Sequence, residues 1–373
     1  MKSCFGNNIN ISLFGESHSE AIGVVINGLA PGIKLDTAFI QKQLDKRKPK
    51  GKISTARQEA DDFKIVSGYF GGYTTGTPLC LMIFNQSQKS SDYEKTKSLM
   101  RPSHADYTAQ EKYLGFQDYR GGGHFSGRIT APIVAAGAIC TQILAQKGIQ
   151  IGTHIKSCYG VHDTDFSEEN EILSKQISDL NDKYFPIINE SIESSMREKM
   201  EQAQAEGDSV GGILETAVIH MPAGIGEPFF GSIESILSQL LFSIPAIKGV
   251  EFGAGFDFAN QKGSEANDAF YYDNGVHIKT KTNHNGGING GISNGMPITI
   301  KCVVKPTPSI YKEQDTVNIQ TKENEKLQIQ GRHDPAIIHR ARVVVDSMVA
   351  IGMLDLFCER YGYMWQNNSE NEL

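Results

Sequence analysis

At 373 residues the chain can bury a large core, as one large domain or two ordinary ones, and 39% hydrophobic with 21% charged residues is the usual balance of a globular protein. A net charge of −7 argues against the chain as a whole binding nucleic acid or an anionic membrane surface. The six cysteines are scattered with no C-x-x-C pair, which argues against a disulfide framework or a zinc site and points to a reducing cytosol; the 38 glycines, an excess, point to tight turns and close backbone approaches.

Taken in chain order, Met1 to Asn10 holds no apolar run, so no signal peptide is expected. A strand is predicted at Ala21–Ile26 and a helix at Thr37–Lys46. Lys42 to Arg57 carries seven Lys/Arg residues against one acid, Asp45; charge alone makes this either a solvated basic face or one wall of an anion site. A strand follows at Leu79–Phe84. Thr108 and Glu111 form a capping-box pattern, which starts a short helix there and leaves His104 in the loop before it. Gly121 to Gly127 is a glycine-rich loop. Ala131 to Ala145 is apolar but short and broken by Thr141 and Gln142, so it reads as a buried helix and not a membrane span. Asp163 to Ser209 and Asp315 to Gln330 are polar and read as surface excursions, the first with an exposed helical pattern over Ile192 to Glu206. Between them fall a strand at Gly212–Ile219, a helix at Ile233–Phe242, a second glycine-rich loop at Gly286 to Gly291 and a strand at Ile298–Val304. The longest predicted helix runs from Pro335 to about Arg360, with Ile338, Val345, Met348, Val349 and Leu356 at helical spacing. A Pro-Ile pair follows each glycine loop (Pro132-Ile133 and Pro297-Ile298), a pattern that an internal duplication could leave. Strands and helices do not alternate regularly, so the class is α+β. No linker divides the chain, which reads as one domain over 1–361 and a short polar tail, 362–373.

Familiar nucleotide loops are absent. Gly291-Ile-Ser293-Asn-Gly295 matches the nucleophile-elbow pattern, but a proline and a β-branched strand follow where a helix is required, which disfavours a serine hydrolase. More informative are Gly15-Glu-Ser-His18-Ser19, Arg101-Pro-Ser-His104-Ala-Asp-Tyr107, Arg120-Gly-Gly-Gly123 running on to Arg128, and Gly331-Arg-His-Asp334-Pro335. Each sets His, Arg or Asp beside turn residues. Singly they have bland readings: turn histidines, surface ion pairs for Arg120 and Arg128, and an N-cap at Asp334 with proline at the first helical position. Together they suit a multiply charged anion.

In this arrangement, from about Phe5 to Tyr361, the chain resembles the chorismate synthases. The matching segments are G-E-S-H, R-P-x-H-A-D-Y-T, Y-R-G-G-G, G-D-S-x-G-G, S-I-x-A-x-K-G-V-E, N-H-x-G-G-I-x-G-G-I-S, K-P-T-x-S-I and G-R-H-D-P, eight in the family's order. The resemblance implies a β-α-β sandwich with helices layered between antiparallel sheets, a homotetramer, bound FMN and no metal. It implies a lyase that eliminates phosphate from 5-enolpyruvylshikimate 3-phosphate. His18 and His104 match the family's catalytic histidines, one serving the reduced flavin and the other the leaving phosphate, and Asp334 matches the aspartate that assists loss of the ring proton. Arg47, Arg128, Arg332 and Arg340 would meet the substrate's phosphate and carboxylates. FMN contacts map onto His124, Phe125, Ser126, Ala246, Gly290, Lys305, Pro306, Thr307, Pro308, Ser309 and Arg332. The reductant positions map onto Arg47 and Lys52, and whether NADPH or an external reductant serves them is open. The family's usual R-S-S-A-R-E-T is here His124-Phe-Ser-Gly-Arg128-Ile-Thr130, which removes a fixed positive charge and leaves a non-catalytic anion-binding relative as the alternative.

Overall fold

Period-two apolar patterning and two long apolar helices set the architecture. The computed structural model describes residues 3–51, 53–54, 60–86, 97–329 and 333–367; Lys52, Arg332 and the end of the polar tail lie outside the described residues. One antiparallel sheet comprises β1 (Cys4–Phe5), β2 (Asn10–Gly15), β3 (Ala21–Asn27), β4 (Phe63–Ser67) and β5 (Leu79–Phe84), in the order β1-β2-β3-β5-β4. A second five-stranded sheet comprises β6 (Gln150–Cys158), β7 (Val161–His162), β8 (Gly212–Ile219), β9 (Ile247–Phe252) and β10 (Ile298–Val304), in the order β9-β10-β8-β6-β7. The helices of eight or more residues are α1 (Thr37–Arg47), α2 (Asp106–Tyr113), α3 (Thr130–Gln146), α4 (Asn170–Asp182), α5 (Glu193–Ala205), α6 (Ile233–Ser243) and α7 (Ile338–Tyr361). Helix α3 packs on β3 and β5, α7 on β6 and β8, and the two helices pack on each other with α1 and α6 at their flanks. The sheets thus enclose a helical layer, as the resemblance implied.

The crossing of α3 and α7 is close because Gly137 has no side chain: a Cβ there would lie 2.2 Å from the Cβ of Ser347. Thirteen of the seventeen α3 residues are buried. The stretch Arg120–Gln146 is long and apolar enough to cross a membrane by composition, but 78% of its apolar window is buried inside the fold, which is the mark of a core helix.

Three local expectations are corrected. Thr108 is no cap: α2 begins at Asp106 after Ala105, and the Thr108 hydroxyl donates back to the Ala105 carbonyl. Asp334 does not cap α7, which starts at Ile338 with no side-chain cap, because its carboxylate is taken by Arg340. The Ile192 to Glu206 pattern is a helix with a buried stripe, Met196, Met200 and Ala203. The two glycine loops also lead to different structures, α3 after the first and a short hairpin (Ile288–Asn289 with Ile292–Ser293) in the second, so they are not copies of one element.

Candidate active site

Where the C-termini of α1 and α6 meet the N-termini of α3 and α7, the helical layer opens into a cavity of about 910 Å³. That is near the top of the range of small-molecule sites, which is roughly 300–1,000 Å³. Its walls bring together Arg47, His104, His124, Phe125, Ser126, Arg128, Ala246, Lys305, Thr307, Pro308, Ser309, Asp334 and Arg340. Pro306 lies in the same segment without lining it. Gly290 is exposed on the short hairpin and does not line the cavity.

His18 stands behind one wall. It is 5% exposed, in the turn after β2. Gly121, at φ +59°, presses on its ring so closely that a Cβ would lie 2.3 Å from the imidazole Cε1. Ser17 N–H donates to the Gly123 carbonyl at 3.1 Å, which docks the glycine loop on the turn. His124 completes this docking: its Nδ1 lies 2.8 Å from the Gly15 carbonyl and its Nε2 2.9 Å from Ser3 Oγ. A carbonyl can only accept, so Nδ1 carries the proton.

His104 sits in a loop held at both ends. Arg101 makes two bonds to Asp106, 2.7 and 2.8 Å, and Lys305 Nζ donates to the Ser103 carbonyl at 3.0 Å. The imidazole Nδ1 faces the Pro102 carbonyl at 3.0 Å, so it is the protonated nitrogen, and Nε2 faces Ser309 Oγ at 2.8 Å. Burial, with Arg101 and Lys305 nearby, lowers its pKa to about 4. His104 is therefore neutral in the free protein at pH 7, not the imidazolium a general acid needs.

The arginines carry the clearest chemical signal. Arg47 and Arg128 share the buried carboxylate of Asp61, which sequence reasoning missed. Burial opposes the Asp61 charge, but the two guanidiniums hold its pKa below the usual carboxylate value. Arg340 donates to Asp334 at 2.5 Å. After these bonds, Arg47 Nε, Arg128 Nη2 and Arg340 Nε remain buried without a hydrogen-bond partner among the described residues, as does Thr307 Oγ1. Each buried donor left unpaired costs about 1–3 kcal/mol, more for a charged group. Three arginines with a spare donor each, all lining one cavity, suit an anion site.

Other candidates resolve differently. Arg120 pairs with Asp118 and does not line the cavity. Ser293 is buried; its hydroxyl donates to the Pro222 carbonyl at 2.6 Å and accepts from Ile225 N–H at 2.9 Å, so it fixes a turn and is no nucleophile. Among the described residues no group of three or more His, Cys, Asp or Glu side chains could hold a metal ion.

Known proteins resemble this chain over nearly its whole length. A family model described as chorismate synthase matches residues 9–358. Chorismate synthase of Thermococcus gammatolerans is 43% identical over 355 residues, spanning 95% of this chain and 97% of that protein. Chorismate synthase of Pyrococcus abyssi is 45% identical over 350 residues, spanning 94% and 96%, and that of Lachnoclostridium phytofermentans is 46% identical over 361 residues, spanning 95% and 94%. A crystal structure of chorismate synthase superposes with a TM-score of 0.76 at 26% identity, covering 96% of this chain and 94% of the other. By its sequence, its antiparallel sandwich and its relatives, the chain belongs to the chorismate synthase family, lyases of aromatic amino acid biosynthesis.

Proposed function

We propose that this cavity carries out a 1,4-elimination of phosphate from 5-enolpyruvylshikimate 3-phosphate, giving chorismate, with reduced FMN bound non-covalently beside the substrate. The observation that carries this reading is the set of three buried guanidinium donors, from Arg47, Arg128 and Arg340, that have no hydrogen-bond partner among the described residues, beside His104 and Asp334. A substrate with one phosphate and two carboxylates supplies the acceptors these donors lack.

The residues also fit a flavin nucleotide. Lys305 to Ser309 offers a cation and hydroxyls, including the unpartnered Thr307 Oγ1, for a phosphate, and Phe125, Met100, Pro245 and Ile337 give apolar walls for a ring system. Reduced FMN, when bound, supplies an electron to the substrate and recovers it, so the reaction has no net redox change. The protein's own part is positioning and charge. Arg47, Arg128 and Arg340 bind and orient the anionic groups and stabilise the phosphate as it leaves. His104 delivers a proton from Nε2 once the ligands' negative charge has overcome its depressed pKa. Asp334, held by Arg340 on the cavity wall, takes through the family resemblance the role of assisting loss of the ring proton. His18, packed under Gly121, serves the flavin side. Arg332 and Lys52 join this scheme through the family resemblance, as do NADPH as a reductant, the homotetramer and a cytoplasmic location.

Calorimetry tests the reading directly. FMN titrated into the protein should bind, and bind more tightly with substrate present. Absence of heat and of any spectral change in both titrations would refute it.

A further inference from the structure

Two of the three cavity arginines owe their orientation to one carboxylate. Asp61 has a side chain only 1% exposed, against 4% for Arg128 and 14% for Arg47. Its Oδ2 accepts from Arg47 Nη2 at 2.7 Å, and its Oδ1 accepts from Arg128 Nη1. Each guanidinium has a second tether: Arg128 Nε donates to Asn85 Oδ1 at 2.9 Å, and Arg47 Nη1 reaches the Gly127 carbonyl at 3.5 Å. A planar guanidinium fixed at two of its nitrogens has little freedom left. What remains of the pair is Arg128 Nη2 and Arg47 Nε, both buried and unpartnered among the described residues. Two bare guanidiniums this close would repel one another, and a carboxylate held between them offsets that repulsion while leaving the trio with a net positive charge.

We infer that Asp61 is a positioning residue, which sets Arg47 and Arg128 side by side so that their remaining donors form one seat for a phosphate oxyanion. The inference rests on the cavity being a phosphate site. Asp61 acts through the arginines and need not touch substrate. The competing role is that of an internal stand-in, a carboxylate that occupies the ligand's place and must be displaced. The hydrogen bonds speak against it: Asp61 takes Nη1 of Arg128 and Nη2 of Arg47, and the nitrogens left without a partner are different ones.

The test compares the parental protein with Asp61→Glu, which keeps the charge and moves it by one methylene, and with Asp61→Asn, which keeps the shape and removes the charge. Inorganic phosphate is titrated into each by calorimetry at fixed ionic strength, with melting temperature, kcat and KM measured on the same samples. Positioning predicts phosphate binding at least tenfold weaker in both variants, with a matching rise in KM for the phosphorylated substrate, even in Asp61→Glu samples that melt near the parental temperature. Asp61→Glu decides the matter where Asp61→Asn does not fold. Parental phosphate affinity in Asp61→Glu would make Asp61 a charge-balancing group only and overturn the proposal. Equal or tighter binding in Asp61→Asn would make it a competitor and overturn it too. Phosphate failing to bind the parental protein would instead overturn the reading of the cavity, and the role of Asp61 with it.

Discussion

His104 gives the sharpest quantitative test, because its environment in the free protein is the reverse of what its proposed role requires. Burial first, then Arg101, brings its pKa to about 4, so at pH 7 roughly one molecule in a thousand carries the proton. Protonating it at that pH costs about 4 kcal/mol. A ligand charge about 5 Å away, at an effective dielectric near 20, returns roughly 3 kcal/mol, so a dianion returns roughly 6. Ligand binding is therefore sufficient to move the titration across neutrality, and the site would charge its acid only when loaded. The prediction is a midpoint near 4 in the free protein that rises by two units or more with saturating substrate. The assay is histidine-ring NMR across the pH range with and without ligand, the His104 signal being assigned by its loss in His104→Gln. The sign for stability also follows. The folded pKa lies below the unfolded value of 6.5, so the unfolded chain binds more protons between them, and His104 destabilises the free fold as pH falls from about 6.5 towards 4. His104→Gln should flatten that part of the acid limb. A free-protein midpoint at the ordinary 6.5, or a midpoint unmoved by ligand, would refute the reasoning.

Other consequences can be checked on single variants. His104→Ala should lower anaerobic turnover by roughly 10²- to 10⁴-fold with little change in melting temperature, and a variant that melts much lower yet turns over normally would make the residue structural. Gly121→Ala places a methyl against the His18 ring at a left-handed position, a strain of at least about 1–2 kcal/mol; it should lower both melting temperature and turnover, and normal values for both would contradict the packing. Arg128→Ala should weaken phosphorylated ligands more than Arg128→Lys, with both impaired, because an ammonium cannot bond Asn85, Asp61 and a ligand in one plane; calorimetry with substrate reads the order. Buried His154 lies 2.9 Å from both Asp163 and Glu215; burial opposes its charge, but the two carboxylates outweigh it and raise its pKa. Its contribution is thus complete below about 6.5 and lost as pH rises through the folded value, and His154→Gln should cost about 3–5 kcal/mol near neutrality in denaturant melts, a gap that narrows at alkaline pH.

What the sequence revealed depended on how local the signal was. Strands β5, β8 and β10 were legible to the residue, because their apolar patterns are bounded by turn residues. Strand β6 was not, since α7 covers one face and α4 packs on it as well, so no alternation survives, and its Thr153 and His154 are fully buried with the distant partners Thr216 and Glu215. Asp334 read as an N-cap because the local pattern Asp-Pro fits one; the tertiary partner Arg340 won. The loop histidines and the arginines were found as a set through motif order, whereas Asp61 was hidden. Its partners lie 14 and 67 residues away, and nothing in the Asp61-Asp62 pair distinguishes it from surface acid. The His124 departure likewise gained its meaning only from contacts with Ser3 and Gly15, which show that it holds the glycine loop in place.

The central claim is an elimination that uses reduced flavin without consuming it. The direct measurement mixes purified protein, FMN and 5-enolpyruvylshikimate 3-phosphate without air, reduces the flavin with dithionite, and follows phosphate release together with the flavin spectrum. The account predicts many equivalents of phosphate and of chorismate per flavin, with the flavin reduced at the end as at the start. No phosphate release from protein that binds FMN, or one flavin oxidised for each phosphate released, would contradict it.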